Sequence, residues 1–547
     1  MRLKLVSLAT PKSIYFYVLC TLAVVFLLLG CSRDPNPQDA LSADPLVLRR
    51  GLGGQPGSLD PQLAEDAFSY DVLRDLYEGL TLSSPEGEVV PGVAESWATS
   101  PDGKLYTFAL RADARWSNGD ALVADDFVAG FRRALDPATA SGAADLLRAI
   151  ENAPEALRGE LPVERIGVRA LDSRKLEIRL SRPVAYFPDI LTNTVASPVH
   201  KSALTNTGTS RSAIDAVTNG PYRLTQLQPG ANLRLERNAH YWDRNAAAYD
   251  EVRYEFVADE NAEFARFRAG ELDVTNTVPE QRFAELAGDP NSGLQHRPTL
   301  ATFYFTLNTD RGPLLDKPGL REALSLAVDR EAITSAITGA GQVPAYALVP
   351  DGVWDYSPAV YEWKSDTREQ RLTRAQALYS AAGYGQQRPL RLRLLYNENE
   401  LVQRVCVAVA AMWKESLGIE TELVQMEFKA YLSARADPAQ WDVVRVGWTA
   451  DYNDASTFLD TMLDGSPQNF GRWRDSRYAR LLESASLEID ASRRRAIMQQ
   501  AEALMLRDYA LLPVYFYVTR RLVGAAVAAP PINPMNRTYS RYFRPAG

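Results

Sequence analysis

The sequence has little cysteine and little histidine, which excludes several kinds of site. It has 3 cysteines and 3 histidines among 547 residues. Cys20 and Cys31 lie in or directly after an N-terminal apolar run, so Cys406 alone is left in the rest of the chain and no internal disulfide can form there. The apolar, helical surroundings of Cys406 favour a role in the core. Because the histidines are far apart and in unrelated contexts, we expect no metal and no cofactor.

The motifs of the common enzyme classes are also absent. The sequence has no His-Glu-x-x-His helix, no Cys-x-x-Cys pair and no Gly-x-Ser-x-Gly turn. The glycine-rich stretch 51–57 has Pro56 where a dinucleotide loop needs its third glycine. Asp451-x-Asn453 begins like a calcium loop but lacks the later ligands. We therefore expect no enzyme, although a pair of catalytic carboxylates leaves no such signature.

Positive charge is outweighed by negative charge. The chain carries 60 lysines and arginines against 68 aspartates and glutamates, a net charge of −8. So acidic a chain is poorly suited to a phosphate backbone, and we expect no nucleic-acid partner. A length of 547 residues exceeds what one core usually holds, which predicts two or three domains.

The N-terminus has the features of an export signal. Three basic residues precede an apolar run over 14–29, which ends at Gly30-Cys31. This pattern predicts a signal peptide over 1–30 and a lipid attached to Cys31, with a plain secretory signal or a short membrane anchor as alternatives. Residues 31–44 are rich in Pro, Asp and Ser and predict a flexible tether. The expected location is the periplasm or cell envelope, at a membrane.

Hydrophobic periodicity predicts mixed helices and strands. Alternating leucines from Leu390 predict a strand, apolar residues at helical spacing from Val402 predict a helix closed by Gly418, and 420–425 reads as another strand. Strand, helix and strand in this order predict a parallel pair. Further helices are predicted over 320–338 and 492–508, and short strands over 105–110, 175–180, 233–236 and 252–256.

The stretch from Trp441 to Asn453 is the most informative in the chain. Its valines and tryptophans predict a buried strand that ends in an acidic, aromatic loop. Arg445 lies on this strand and Asp451 just past its end. Ligands of α/β proteins are met at the carboxyl ends of strands, so these two residues could offer opposite charges to a zwitterion. The alternative is that Arg445 and Asp451 pair with each other.

A series of short motifs, in a fixed order, resembles that of a known family. The motifs lie at 91–97 (PGVAESW), 102–108 (DGKLYTF), 115–120 (RWSNGD), 219–222 (NGPY), 235–242, 267–273 (FRAGELD), 395–397 and 447–453 (GWTADYN). In these the chain is similar to the extracytoplasmic solute-binding proteins of the peptide/nickel family, most of all to their oligopeptide-binding branch. The resemblance extends over about 46–545.

The resemblance implies an α/β fold of the class II periplasmic-binding-protein type. Three domains would form two lobes that close by a hinge around the ligand. Domain I would come from three segments, 45–77, 196–300 and 519–547. Domain II would be 78–195 and domain III 301–518.

The resemblance also implies a ligand and the residues that bind it. An oligopeptide would lie extended and paired with main chain, so that affinity depends little on its sequence. Asp451 matches the position that binds the peptide α-ammonium, and Arg435 and Arg445 match arginines that bind the carboxylates of peptides of different lengths. The residues matched to main-chain or lining positions are Gly447, Trp448, Thr449, Glu65, Asn276, Tyr304, Asn397, Phe428 and Tyr517.

The expected function is therefore that of the substrate-binding protein of an ABC importer. It would be a lipid-anchored monomer that captures oligopeptides and delivers them to a permease with its ATPase subunits. A lysine near Thr338 and a histidine near Val402, which close oligopeptide-binding relatives carry, are absent here, which narrows the peptides that fit. The alternatives are another ligand (a murein peptide, a nickel complex or a sugar), an exported peptide-processing enzyme, or a receptor or chaperone for unfolded chains.

Overall fold

The computed structural model describes residues 45–204 and 213–547. The predicted signal peptide, the tether and the lipid site at Cys31 lie outside the described residues. Residues 47–547 form one unit by their internal contacts. None of the described helices has both the length and the apolar content that crossing a bilayer requires.

The strands of the described residues form three larger sheets and two small ones. The strands are β1 (Val47–Leu52), β2 (Thr81–Ser83), β3 (Val89–Pro91), β4 (Ala94–Thr99), β5 (Leu105–Leu110), β6 (Val168–Asp172), β7 (Lys175–Arg179), β8 (Tyr222–Gln228), β9 (Asn232–Arg237), β10 (Glu251–Phe256), β11 (Leu294–Leu307), β12 (Val343–Pro344), β13 (Arg391–Asn397), β14 (Glu420–Met426), β15 (Val443–Thr449), β16 (Leu511–Leu522), β17 (Val527–Ala528) and β18 (Arg544–Pro545). Two four-stranded sheets have the orders β1-β10-β9-β8 and β4-β5-β7-β6, and a six-stranded sheet has the order β12-β16-β11-β15-β13-β14.

Helices of very different length connect and cover these sheets. The α-helices are α1 (Ala67–Leu76), α2 (Ala124–Leu135), α3 (Ala153–Leu157), α4 (Phe187–Ile190), α5 (Lys201–Leu204), α6 (Glu260–Arg268), α7 (Phe283–Gly288), α8 (Pro318–Ala327), α9 (Arg330–Ala332), α10 (Arg368–Ala381), α11 (Glu400–Leu417), α12 (Phe428–Arg435), α13 (Ser456–Leu459), α14 (Ser476–Leu487) and α15 (Ala491–Arg507). The longest, α11, packs its apolar face on the six-stranded sheet through Val405, Val409 and Trp413.

The apolar core is divided into three main clusters. One lies within 80–196 around the four-stranded sheet β4-β5-β7-β6. A second combines residues from 48–76, 222–274 and 523–543 around the sheet that contains β1. The largest lies within 300–515 around the six-stranded sheet. These clusters fall in the regions expected for domains II, I and III, while the exact domain bounds stay a prediction.

The predicted strand–helix–strand unit is confirmed. β13 and β14 pair in parallel from Arg391 opposite Glu420 to Asn397 opposite Met426, and α11 connects them. The side chain of Asn399 caps the start of α11, and Gly418 ends it in a left-handed conformation, φ +74°. Local signals therefore determine both ends of this helix.

The predicted single helix over 320–338 is wrong in its length. Helix α8 ends at Ala327, and Val328 is extended with φ −82° and ψ 122°. Asp329 then starts the short helix α9 by accepting a hydrogen bond from the N–H of Ala332, at 3.0 Å. A capping aspartate in the middle of an apolar periodic pattern thus restarts the helix, because its carboxylate satisfies N–H groups that a continuous helix would bond.

Candidate functional site

The carboxyl half of β15 has an unpaired edge. β15 pairs with β11 along its whole length, from Val443 opposite Leu307 to Thr449 opposite Ala301. On its other side it pairs with β13 only at Val443 and Val444. Within the part of the chain that the structure describes, residues 445–449 therefore have no strand partner on the side that faces away from β11. We call this side of 445–449 the free edge.

The main-chain groups of Gly447 and Thr449 point out of the free edge. The N–H of Ala450 donates to the carbonyl of Leu300 on β11, at 2.8 Å. In an antiparallel strand, successive residues direct their N–H and C=O groups to opposite sides. Thr449 and Gly447 therefore direct theirs away from β11, where an extended chain can add as a further strand.

Arg445 lies at the start of the free edge with only neutral partners. Its guanidinium donates to the hydroxyl of Tyr517 at 2.8 Å and to the side-chain oxygen of Asn397 at 3.2 Å. It also lies over the ring of Phe303, 4.9 Å from the centroid. The Arg445 carbonyl accepts from the hydroxyl of Tyr431, so it too points away from β11. A half-buried cation without a carboxylate partner is available for an anionic ligand.

The absence of a side chain at Gly447 leaves room for the contact between Arg445 and Tyr517. A Cβ atom at this position would lie 3.1 Å from the Tyr517 hydroxyl and 3.4 Å from Nη2 of Arg445. A side chain here would thus press on the pair. Arg445, Gly447, Thr449 and Tyr517 line one cavity of about 390 Å³ together with residues of 299–301, 518–519 and 534–536.

Arg435 is a second cation without a carboxylate. It is the last residue of α12, and its guanidinium carbon lies 4.2 Å from the centroid of the Phe470 ring and 5.3 Å from that of Tyr431. Its Nε is buried without a hydrogen-bond partner. Across 45–204 and 213–547, no ion pair includes Arg435 or Arg445. Because Tyr431 contacts both arginines, they belong to one region of the molecule.

Asp451 has a carboxylate without a partner of its own. The residue is exposed, and only its main chain is bonded: the N–H donates to Oγ1 of Thr457 at 3.2 Å, and the carbonyl accepts from Arg537 at 3.5 Å. Partial burial of the carboxyl, and then the negative charge of Asp145, raise its pKa. Arg445 and Asp451 are not paired with each other in the described chain. Their opposite charges therefore stay unneutralised.

The remaining predicted residues of this part of the chain differ in how far they are exposed and in what they contact. Asn397 is buried beside Arg445, and Phe428 is 53% exposed with its ring 6.3 Å from that of Tyr431. Trp448 packs partly against the core, and Tyr304 is 1% exposed within it. Tyr304 therefore has no surface for a ligand in this structure.

Glu65 and Asn276 lie on other segments. Glu65 is exposed, and its charge acts on the hydroxyl of Tyr70, as the charge of Asp451 also does. The N–H of Asn276 donates to the buried carboxylate of Glu263 at 2.7 Å. Burial raises the pKa of Glu263 to about 7, although the N–H groups of Asn276 and Thr277 oppose this. Glu65 is thus electrostatically linked to the Asp451 region, whereas Asn276 bonds to Glu263 through its main chain and has its side-chain amide beside Gly53.

Sequence reasoning missed the groups around the charged residues. Tyr431, Asp145 and Arg537 each act on Arg445 or Asp451, and none belongs to the matched motifs. Their role depends on contacts across the fold that no local pattern signals. For metals, no group of three or more suitable side chains in the described chain is arranged to hold an ion.

Comparison with known proteins identifies the family. The model of "Bacterial extracellular solute-binding proteins, family 5 Middle" matches residues 88–470. The chain is 33% identical over 525 residues to the periplasmic murein peptide-binding protein MppA of Escherichia coli strain K12, covering 95% of this chain and 97% of that protein. It is 35% identical over 513 residues to the periplasmic oligopeptide-binding protein OppA of the same strain, covering 92% of this chain and 93% of that protein.

A solved structure agrees with this. The "MppA Periplasmic Murein Tripeptide Binding Protein, Unliganded Open Form" superimposes with a TM-score of 0.84 at 33% identity, over 92% of this chain and 98% of that one. The predicted α/β, multi-domain fold of the class II periplasmic-binding-protein type is confirmed. From these matches, the chain belongs to the bacterial extracellular solute-binding proteins of family 5.

Proposed function

We propose that the chain is the peptide-capturing protein of an ABC importer. The observation that carries this is the free edge of β15, which starts at Arg445, a cation without a carboxylate partner, and is followed by the unpaired anion Asp451. A peptide in extended form offers the complementary set: main-chain donors and acceptors between an α-ammonium and an α-carboxylate. The bound peptide would be released intact to the permease.

Strand geometry supports a short peptide. Residues in a strand rise about 3.4 Å each, so Arg445 and Thr449 are about 14 Å apart along β15. An extended peptide covers about the same distance per residue. The free edge between Arg445 and Thr449 therefore fits a peptide of about four or five residues, and Arg435 would receive carboxylates that end elsewhere.

A murein peptide is the second candidate ligand. The similarity to a murein peptide-binding protein over 95% of the chain favours it. So do the two arginines without carboxylate partners, since cell-wall peptides carry more carboxylates than ordinary peptides of the same length. We further propose export of the chain and attachment of a lipid to Cys31, in line with the periplasmic location in the names of its relatives.

Binding of peptides with free termini tests the proposal. We expect calorimetry and native mass spectrometry to show one peptide of about three to five residues per protein and to recover that peptide uncleaved. The same series should include a murein tripeptide and N-acetylated and C-amidated forms of each peptide. A protein that ignores every peptide would contradict the function, and cleaved products would indicate an enzyme.

Peptide affinity should also fall at acid pH through Asp451. Partial burial and Asp145 raise the pKa of this carboxyl in the free protein, whereas a bound ammonium would lower it. Affinity should therefore be constant above the raised pKa and decrease about tenfold per pH unit below it, because binding then requires loss of a proton. Calorimetry from neutral to acid pH measures this. An affinity with the same pH profile in Asp451→Asn as in the wild type would contradict it.

A further inference from the structure

The loop after β15, residues 451–454, is held by groups outside its own sheet. The N–H of Asn453 donates to Oδ2 of Asp189 at 2.7 Å, and Arg537 donates to Oδ1 of the same carboxylate at 2.8 Å. Arg537 also reaches the carbonyl of Asp451, at 3.5 Å. Asp189, Arg537 and Asn453 are 3%, 7% and 7% exposed. One buried carboxylate thus joins helix α4, the C-terminal segment and this loop.

Further contacts from other segments of the chain hold the same loop. The side chain of Asn453 donates to the carbonyl of Gly87 at 3.1 Å and accepts from the N–H of Trp354 at 2.9 Å. The ring of Tyr452 stacks on that of Tyr186, with centroids 4.2 Å apart and an angle of 3° between the planes. The main chain on the C-terminal side of Asp451 is therefore fixed by several independent contacts.

The side chain of Asp451 has no such support. No hydrogen bond or ion pair within 45–204 and 213–547 reaches its carboxylate, so its position follows from its main chain. That main chain is restrained by Arg537 at the carbonyl and, two residues on, by Asp189 at the N–H of Asn453. The Asp189–Arg537 pair is thus one of the contacts that set the direction in which Asp451 presents its charge, together with the bond from the Asp451 N–H to Thr457.

Both side chains of the Asp189–Arg537 pair make further hydrogen bonds. Besides Asp189, the guanidinium of Arg537 contacts Oγ1 of Thr192 at 2.5 Å, and Asp189 accepts from both Arg537 and Asn453. A buried ion pair that lost one member would leave a charge uncompensated, which is strongly unfavourable. Loss of either member would therefore disturb the contacts that the pair makes with the 451–454 loop.

We propose that Asp189 and Arg537 are positioning residues for Asp451. They hold its carboxylate in place beside the free edge before a peptide arrives, so that the ammonium site is preformed in the empty protein. A preformed site binds its ligand more tightly, because no free energy is lost in ordering the side chain and the loop when the ligand binds. The inference rests on the proposed function, since it concerns how the site for the peptide ammonium is held.

The test compares Arg537→Met and Asp189→Asn with a matched control. Arg541→Met breaks the buried ion pair between Arg541 and Glu78, whose side chains are 8% and 1% exposed. Like Arg537, Arg541 belongs to the C-terminal segment, but its pair with Glu78 does not include the 451–454 loop. For each full-length variant, calorimetry gives the ratio of affinities for a free-N-terminus peptide and its N-acetylated form. We expect the ratio to fall at least about tenfold in Arg537→Met and Asp189→Asn and to stay unchanged in Arg541→Met, although all three lose thermal stability.

A conservative variant covers the case in which Arg537→Met does not fold. Arg537→Lys keeps a positive charge for Asp189, and we expect it to restore part of the ratio. The ratio of the two affinities is the readout throughout, because a loss of stability alone would lower both affinities together and leave their ratio unchanged. If the wild type prefers the free ammonium while every variant keeps the same ratio, the inference fails and the proposed function stands. If the wild type itself ignores acetylation, the assignment of Asp451 to the peptide ammonium fails and the inference with it, whereas a protein that binds no peptide at all would contradict the proposed function.

Discussion

Replacing Asp451 by asparagine should weaken the binding of a peptide with a free N-terminus by about 3 kcal/mol, more than a hundredfold. The carboxylate has no partner within the described protein, so the peptide ammonium would be its counter-charge. Asparagine keeps the shape of the side chain but removes that charge and leaves a partly desolvated ammonium unpaired. Calorimetry with the same peptide at neutral pH measures the difference.

Acetylation of the peptide N-terminus is the complementary experiment. The wild type should bind the acetylated peptide about as poorly as Asp451→Asn binds the free one, and the two changes together should cost little more than either alone. Asp145→Asn is a suitable control, because Asp145 acts on Asp451 only through its field and is itself exposed beside Arg148. Tight binding of acetylated peptides by the wild type would disprove the assignment of Asp451.

Removing each arginine in turn should penalise a different peptide length. In Arg445→Ala, peptides whose carboxylate reaches Arg445 should lose about 2–3 kcal/mol, and in Arg435→Ala the affected peptides should be of another length. The reason is that each cation lacks a carboxylate in the described protein and that the two lie on different elements, Arg445 on β15 and Arg435 at the end of α12. A matrix of both variants against peptides of two to eight residues measures the effect.

Amidated peptides and a distant arginine serve as controls. Amidation removes the carboxylate, so each variant should bind amidated peptides about as well as the wild type does. Arg391→Ala, on β13 with its side chain 81% exposed beside Glu420, should change no affinity. Equal losses at every length in both variants would mean that Arg435 and Arg445 act by supporting the structure.

The sequence predicted the parts of the fold that depend on local signals. The unit β13–α11–β14 could be predicted because its periodicity changes from 2 to 3.6 and back, with Asn399 and Gly418 at the helix ends. The interruption at Val328 was missed because the apolar spacing continues across it. The apolar spacing favours one continuous helix there, whereas the capping residue Asp329 favours a new helix start. The sequence pattern does not show which of the two structures forms.

The sequence indicated where a strand lies along the chain better than it indicated which side chains and strand edges are exposed. Every residue of β11 from Thr299 onward is buried, so both faces of this part of the strand are covered. Tyr304 therefore lies in the core although the resemblance placed it along the ligand. The free edge of β15 was invisible in the sequence as well, since the point where β13 stops pairing depends on the sheet as a whole. Likewise, Asp189 and Arg537 are 348 residues apart, and only the fold brings them together.

The free edge has a consequence for the empty protein. Unpaired main-chain groups along a strand are a template for any extended polypeptide, including a segment of another copy that is partly unfolded. Here the template is only five residues long, from Arg445 to Thr449, and it begins with a charged side chain. Both properties oppose the long, flat stacking that leads to fibres. A chain that keeps a strand edge open for the proposed ligand is thus protected by the shortness of that edge, and saturation with peptide would remove what is left of the hazard.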